Sequence, residues 1–250
     1  MPYSPASDER LDYVNEKITL IQKTDGLTFG TDAFLLAAYT DPKPSGIAAE
    51  LGAGTGIVSL LCAARERFAR VYAFEIQQDF ATLAQKNAEY NKLDDRVSVI
   101  CKDIRECSPK DTEREVDAVF ANPPYMKTDS GKRNDSDRKY IARHEVCGDI
   151  GDFCRAAFKL LKHGGKFYCV WRPDRLTDLI CSMRDNRLEP KKMTFVYADS
   201  GSEPSMVLVS AIKGGASGMR VSAPLLLYKE GTREMSDAAQ KIYDTMSFEN

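Results

Sequence analysis

The tetrapeptide Asn122-Pro123-Pro124-Tyr125 directly follows an apolar run, Val116 to Phe120. Two prolines fix the backbone φ angle and remove two N–H donors, so the segment is stiff and its carbonyl oxygens face outward. The Asn122 amide oxygen and the Pro123 carbonyl can together accept both hydrogens of an –NH2 group, and Tyr125 can stack on the planar group attached to it. The tetrapeptide therefore predicts a site for a planar, conjugated amine. The alternative is a proline-rich turn after a strand.

A second group of residues, Glu50-Leu51-Gly52-Ala53-Gly54-Thr55-Gly56, ends another apolar run. Glycines let the chain turn sharply after a strand, and they let the backbone approach a ligand where a Cβ would clash. The spacing is GxGxG, which differs from the GxGxxG of dinucleotide sites. By itself this turn also fits a plain connection between a strand and a helix.

Carboxylates follow the next two strand-like runs of the chain. Glu75 ends the run VYAFE, where a carboxylate can accept both hydroxyls of a ribose, and Asp103 ends VSVICKD, where it can bind an adenine amine. Either acid alone would more often be a solvated loop residue. Together with the glycine turn and Asn122, however, they follow four successive strands, and open α/β sheets bind ligands at the carboxyl ends of their strands. The series predicts a nucleoside-binding edge.

The elements that position these residues alternate along the middle of the chain. Helix-like spacing covers Ile57 to Arg65, Asp79 to Asn91 and Asp149 to Leu161, each between apolar strand-like runs. This alternation predicts an α/β fold, Rossmann-like, with a mainly parallel sheet and helices on both faces. The runs Lys192 to Ala198 and Ser205 to Ile212 are separated by only six residues, so we expect a hairpin-like end to the sheet.

Composition limits the class of protein. The 250 residues fit one large domain or one domain with a small appendage, and 35 Lys and Arg against 37 Asp and Glu give no global basic charge. Any surface for nucleic acid must therefore be local. Seven scattered cysteines without a CxxC pair predict free thiols in a reducing cytosol. The polar start and the short apolar runs predict a cytoplasmic protein that does not cross a membrane.

The glycine turn and the Asn-Pro-Pro-Tyr tetrapeptide resemble the motifs of class I S-adenosylmethionine-dependent methyltransferases that modify amino groups. Further segments extend the resemblance over roughly residues 11 to 230, to the bacterial tRNA1(Val) (adenine-N6)-methyltransferase family. These segments are Gln22 to Gly26, Phe29 to Ala37, Ala142 to Glu145, Arg172 to Leu176 and Leu188 to Lys192. In that family the target is the adenine immediately 3′ of the anticodon of a valine tRNA.

The resemblance implies N6-methylation of an adenine in tRNA, with S-adenosyl-L-methionine as cofactor and S-adenosyl-L-homocysteine as product. It implies a seven-stranded sheet with an antiparallel strand at its C-terminal end. The implied catalytic residues are Asn122, Pro123, Pro124 and Tyr125. The implied cofactor-binding residues are Thr31, Asp32, Glu50, Gly52, Gly54, Gly56, Glu75, Asp103, Ile104 and Asn122. Thr31 and Asp32 match a stretch that closes over the methionine end of the cofactor in related enzymes.

The same resemblance suggests a division of the chain into three parts. Residues 1–45 form an N-terminal extension that covers the cofactor site, residues 46–230 form the methyltransferase domain, and residues 231–250 form a C-terminal helical tail.

The polar segment 126–143 is long for a connection within a compact domain. It carries six Lys and Arg against three Asp, which predicts an RNA-facing loop next to the catalytic tetrapeptide, the alternative being a solvated loop. His144 and Glu145 invite an acid–base role, but His144 and His163 are the only two histidines of the sequence, and its cysteines show no metal-binding spacing. We therefore expect no metal site.

Other functions share these motifs. The Asn-Pro-Pro-Tyr tetrapeptide does not separate an adenine amine from a glutamine amide, so a protein glutamine N5-methyltransferase or an N-methyltransferase for another RNA remains an alternative. A nucleotide-binding module without enzymatic activity is a third, which the GxGxG spacing disfavours. The sequence leaves the oligomeric state open.

Overall fold

The computed structural model describes residues 5–24, 30–124 and 148–248. Its strands are β1 (Glu9–Asn15), β2 (Ile18–Lys23), β3 (Lys43–Leu51), β4 (Phe68–Glu75), β5 (Val97–Cys101), β6 (Val116–Ala121), β7 (Leu161–Trp171), β8 (Leu188–Tyr197), β9 (Pro204–Lys213), β10 (Arg220–Val221) and β11 (Leu225–Leu226). Its helices are α1 (Thr31–Tyr39), α2 (Ile57–Ala64), α3 (Gln78–Tyr90), α4 (Ile150–Leu160), α5 (Leu176–Asp185) and α6 (Asp237–Thr245).

Nine of these strands form the central sheet, in the order β10-β8-β9-β7-β6-β3-β4-β5, with β11 also paired to β8. Strand β9 runs antiparallel to β7 and β8, whereas the other pairings of this sheet in the described residues are parallel. Seven strands are long, and β10 and β11 have two residues each. The predicted α/β fold is confirmed, as are the mainly parallel sheet and the antiparallel strand near its C-terminal end.

Helices cover both faces of the sheet. Successive side chains of a strand point to opposite faces, so one strand contributes to the core on both sides. In β4, Val71 and Ala73 pack into one hydrophobic cluster, and Tyr72 and Phe74 pack into the other. The first cluster contains buried residues of α1, α2 and α6, and the second contains those of α4 and α5. The core therefore lies in two layers on either side of a buried sheet.

The order of the strands creates a crevice. From β3 the chain builds β4 and then β5 outward on one side, and it then crosses back to place β6 on the other side of β3. The carboxyl ends of β3 and β6 thus flank the point where the winding direction reverses. Open parallel sheets bind their ligands at such a switch point, because the two connections leave in opposite directions there.

A separate hairpin of β1 and β2 is held against α3 by two asparagines. Asn87 accepts a hydrogen bond from the Ile21 N–H at 2.6 Å and donates to the Ile21 carbonyl at 3.1 Å. Asn91 makes the same pair of bonds with Thr19, at 3.0 and 2.9 Å. Residues four apart lie on one face of a helix, and residues two apart lie on one face of a strand. The two asparagines can therefore bond the backbone edge of β2 in the way that a neighbouring strand would.

Candidate active site

The glycine turn links β3 to α2. Gly52, Gly54 and Gly56 have φ angles of +70°, +55° and +82°, in the left-handed region that side chains with a Cβ rarely adopt. A Cβ on Gly56 would lie 3.2 Å from the Ala84 Cβ of α3, so this glycine permits close packing. A Cβ on Gly54 would meet nothing within 4 Å among the described atoms. The turn therefore presents bare backbone to open space, the shape that a ligand against the strand ends requires.

Glu75, the last residue of β4, braces this turn. Its carboxylate is buried and accepts hydrogen bonds from the backbone N–H groups of Gly54 and Gln77, each at 2.8 Å. The two bonds engage different oxygens, and each carboxylate oxygen has more than one acceptor position. Glu75 therefore holds the glycine turn in place and still has acceptor capacity for the hydroxyls of a ribose.

Glu50 lies beneath the turn. Its carboxylate is buried and accepts a hydrogen bond from the Ser59 N–H at 2.9 Å and a shorter one from the Ser59 hydroxyl. Burial raises the pKa of Glu50 to about 8, the two Ser59 bonds oppose this rise, and the nearby Glu75 charge adds to it. Ser59 is in the first turn of α2, so Glu50 connects β3 to the helix that follows the glycine turn.

Asp103 lies two residues after β5 and caps a short 3-10 turn, Ile104 to Glu106. Its carboxylate accepts from the Arg105 backbone N–H at 2.9 Å and pairs with the Arg105 guanidinium, and these hydrogen bonds lower the pKa of Asp103. Ile104 is buried in the hydrophobic cluster on the α4 side of the sheet. The predicted adenine position is thus an ionised carboxylate next to an apolar side chain.

Asn122 follows β6, and its amide meets the first turn of α1. The Nδ2 atom donates a hydrogen bond to Asp32 Oδ2 at 2.8 Å, while Asp32 Oδ1 accepts from the Ala33 N–H at 2.9 Å. A carboxylate in the first turn of a helix is stabilised by the N–H groups and the helix dipole there. A Cβ on Gly30 would lie 2.5 Å from Asp32 Oδ1, so the glycine makes room for this arrangement.

Of the other predicted site residues, the structure describes Pro123, Pro124 and Thr31 but not the rest. Pro123 is buried and Pro124 is exposed at the end of the described segment. Tyr125, the loop 126–143, His144 and Glu145 lie outside the described residues. Thr31 begins α1, and hydrogen bonding to Thr31 opposes the rise in the pKa of Tyr243 that burial causes.

The structure brings the predicted site residues that it describes to one edge of the sheet. Asn122, the glycine turn, Glu75 and Asp103 follow the neighbouring strands β6, β3, β4 and β5. With neighbouring strands about 4.8 Å apart, this row spans about 14 Å, the scale of an elongated nucleoside ligand. Asn122 contacts Asp32 of α1, and Glu75 contacts Gly54 of the glycine turn. The first contact connects the row to α1, and the second connects two of its own residues.

Two supporting residues were missed from the sequence. Asn87 also donates to the Thr55 carbonyl at 3.0 Å, which connects the glycine turn to the N-terminal hairpin. Tyr243 of α6 stacks on Phe34 of α1, with ring centroids 4.0 Å apart and an interplanar angle of 7°. The apolar spacing of Ala239, Ile242 and Tyr243 indicates a packed helix face, but its partner on α1 is more than 200 residues away in the chain.

The described segments offer neither a metal-binding cluster nor a membrane-spanning helix. They contain no group of three or more His, Cys, Asp and Glu side chains that could hold a metal ion. No helix among them is both long and apolar enough to cross a membrane.

The crevice, the glycine turn and the row of polar residues define a class I methyltransferase fold. A predicted O-methyltransferase from Agrobacterium tumefaciens has a similar structure, with a TM-score of 0.70 and 23% identity over 87% of this chain and 97% of that one. The family model of the methyltransferase small domain matches residues 23–180.

Curated relatives give the closer classification. The tRNA1(Val) (adenine(37)-N6)-methyltransferase of Bacteroides fragilis is 33% identical over 72% of this chain and 75% of its own length. The protein of that name from Phocaeicola vulgatus is 30% identical over 78% and 81%. The chain belongs to the methyltransferase small domain family and to the family of these tRNA1(Val) (adenine-N6)-methyltransferases, and it is an S-adenosylmethionine-dependent methyltransferase, as predicted from its motifs.

Proposed function

We propose that this enzyme transfers a methyl group from S-adenosylmethionine to the N6 amine of the adenine next to the anticodon of a valine tRNA. The relatives named above are methyltransferases of adenine 37 in tRNA1(Val). The observation in this chain that carries the proposal is the Asn122–Asp32 hydrogen bond, because it orients an amide at the switch point of the sheet.

The orientation of this amide determines what it can bind. Because Asp32 accepts from Nδ2, the acceptor Oδ1 is turned to the opposite side of the Asn122 amide. A hydrogen of an amine can be bound by that oxygen, and the Pro123 carbonyl supplies a second acceptor in the next residue. The pair suits an –NH2 group. Tyr125, by its position in the tetrapeptide, is proposed to stack on the ring that bears this group.

The chemistry needs positioning more than a strong base. The exocyclic nitrogen of adenine is a poor nucleophile because its lone pair is delocalised into the ring. Acceptors at Asn122 and Pro123 favour a more sp3-like nitrogen and stabilise the positive charge that develops on it. Alignment of the nitrogen with the methyl group supplies up to about 7–11 kcal/mol in well-oriented systems. The methylated nitrogen then loses its proton readily to solvent.

The residues present fit the cofactor, which supplies an electrophilic methyl group on a sulfonium. Open space above Gly54 accommodates a ligand against bare backbone, and the buried Glu75 carboxylate lies beside it with acceptor capacity for ribose hydroxyls. We assign the adenine moiety to the region of Asp103 and Ile104, and the methionine end to Thr31 and Asp32. Glu50 supports the turn from below through Ser59.

The remaining parts of the proposal concern the substrate. An adenine in a folded loop must be unstacked to reach Asn122, at a cost of a few kcal/mol. The loop 126–143, outside the described residues, is proposed to contact RNA phosphates, so neutralising Lys132, Arg133, Arg138 and Lys139 would flatten the salt dependence of tRNA binding. Residues 1–45 would cover the cofactor, and residues 231–250 would form a supporting tail. We propose that the enzyme acts in the cytoplasm, where it would meet a tRNA substrate.

The test is methylation of unmodified valine tRNA in vitro, followed by mass spectrometry of its nucleosides. We expect N6-methyladenosine with the wild type, and a loss of kcat of about 10²–10³-fold in Asn122→Ala with nearly unchanged S-adenosylmethionine affinity. A matched tRNA with guanine at the target position is the control substrate. Methylation of the glutamine of a release-factor peptide instead of the tRNA would establish the protein methyltransferase alternative. Normal turnover by Asn122→Ala would contradict the mechanism.

A further inference from the structure

A second concave region lies at the β8 edge of the sheet. It encloses about 450 Å³ between β8, the segment 220–225, α6 and the residues that follow α6. Among the residues that the structure describes, its lining contains no Asp or Glu, whereas three lining residues carry positive charge: Lys192, Arg220 and Lys241. We call this region the basic hollow. In a chain with a net charge of −2, a hollow whose described charged residues are all cations needs a physical explanation.

The three cations lack an acidic partner in the described part of the chain. None of them forms an ion pair with an Asp or Glu of the described residues. The Lys192 ammonium instead lies over the Tyr39 ring, 4.8 Å from its centroid. Tyr39 is itself fixed by a hydrogen bond of 3.1 Å with Thr194. Burial raises the pKa of Tyr39, the hydrogen bond with Thr194 opposes the rise, the Asp41 charge adds to it, and the Arg220 charge opposes it, so Arg220 also acts on this hydroxyl.

A hollow at another edge provides a comparison. It is lined by Lys43, Lys162 and Lys166, but there the lysines are paired. Lys43 and Lys162 both contact Asp117, and Lys166 contacts Asp41. Burial would raise the pKa of Asp117, but hydrogen bonds from Lys162 and Lys43 outweigh it and hold the pKa below its ordinary value. The positive charge of that hollow is compensated by its own acids, whereas no ion pair between described residues compensates the basic hollow.

The basic hollow is connected to the amine site by α1. Asp32, at the start of the helix, binds Asn122, and Tyr39, at its end, lies beneath Lys192. Seven residues of helix span about 10 Å along the axis. A ligand that occupies both regions must extend along α1 from Asn122 to Lys192, and an anionic polymer such as RNA matches this extent and the charge of the hollow.

We propose that the basic hollow binds backbone phosphates of the RNA substrate while its target adenine is at Asn122. This inference rests on the proposed function for the identity of the RNA. Phosphate contacts position the nucleic acid without reading its sequence, so they would orient the tRNA on the enzyme and leave the choice of base to the amine site. Lys192 is held by Tyr39 and loses little conformational freedom on binding.

The experiment measures binding of unmodified valine tRNA at several salt concentrations by fluorescence anisotropy. The variant is Lys192→Gln/Arg220→Gln/Lys241→Gln, and the control is Lys92→Gln/Lys110→Gln/Arg114→Gln. The control removes the same charge from exposed residues that precede β5 and β6, away from the hollow. We expect only the first variant to raise the Kd and to lower the slope of log K against log salt by about 2–3.

Affinity for S-adenosylmethionine should be the same in all three proteins. If the triple variant does not fold, Arg220→Gln/Lys241→Gln changes exposed residues alone and should lower the slope by about 2. Equal slopes for the hollow variant and the control would overturn the proposal. The proposal would also be overturned if calorimetry showed that the wild type binds inorganic phosphate and the hollow variant does not, while the salt slope of tRNA binding is the same in both. Wild-type binding of tRNA without methylation would reject the proposed function and leave this inference standing.

Discussion

Asn122 donates a hydrogen bond from Nδ2 to Asp32 Oδ2 at 2.8 Å, across ninety residues of the chain. The bond connects the end of β6 to the first turn of α1, and Asp32 is held in turn by the Ala33 N–H. An Asn side chain on a loop can present either end of its amide to a ligand. Asp32 selects one end, so it is proposed as a positioning residue for Asn122 in addition to its expected place near the methionine end of the cofactor.

Changing Asp32 should separate these two roles. We expect Asp32→Ala to lower kcat by about 10²-fold, since a misplaced reacting group has effects of this size. Asp32→Asn, which keeps an acceptor oxygen for Asn122, should recover part of the loss. Steady-state kinetics with valine tRNA and calorimetry with S-adenosylmethionine measure the two effects. A rise in cofactor Kd with unchanged kcat would show that Asp32 serves the cofactor alone.

Gly54 can be compared with a matched glycine elsewhere. Gly54 and Gly164 have φ angles of +55° and +74°, and a Cβ on either would meet nothing within 4 Å. Alanine at either position should therefore cost about 1–2 kcal/mol of stability through backbone strain. Only Gly54→Ala should also weaken S-adenosylmethionine binding, because its methyl group enters the space assigned to the cofactor. Denaturant unfolding and calorimetry test this, and equal cofactor affinities would place the ligand elsewhere.

Glu50 should make stability depend on pH. Its pKa is raised to about 8 by burial, above the ordinary value of 4.5, so the folded state keeps a proton that the unfolded chain releases. Its contribution to stability is complete below the ordinary value and is lost as the pH rises through about 8. The free energy of unfolding of the wild type should fall relative to that of Glu50→Gln between about pH 5 and about pH 9. If urea unfolding gave the same pH dependence of the free energy of unfolding for both proteins, Glu50 would be ionised in the folded state.

Much of the fold could be predicted from local patterns. Apolar runs at strand spacing, separated by helical ones, indicated the parallel sheet, since a strand buried on both faces must be apolar along its length. The short DSGSEP connection indicated the antiparallel pairing of β8 and β9, which is confirmed. These features depend on residues close together in sequence. For the same reason the sequence by itself singles out Gly52, Gly54, Glu75 and Asn122 as candidate site residues.

Contacts between distant segments could not be predicted this way. The sequence placed Asn122, the glycine turn and the two acids at strand ends, but only the crossing of the chain back from β5 to β6 made the Asn122 and glycine-turn ends neighbours. The bond between Asn122 and Asp32, the stacking of Tyr243 on Phe34 and the meeting of Lys192 with Arg220 and Lys241 have no local signal. Each depends on how helices pack on the sheet. Side-chain periodicity specifies which face of an element is buried, whereas the partner on that face is decided by the packing of the whole core.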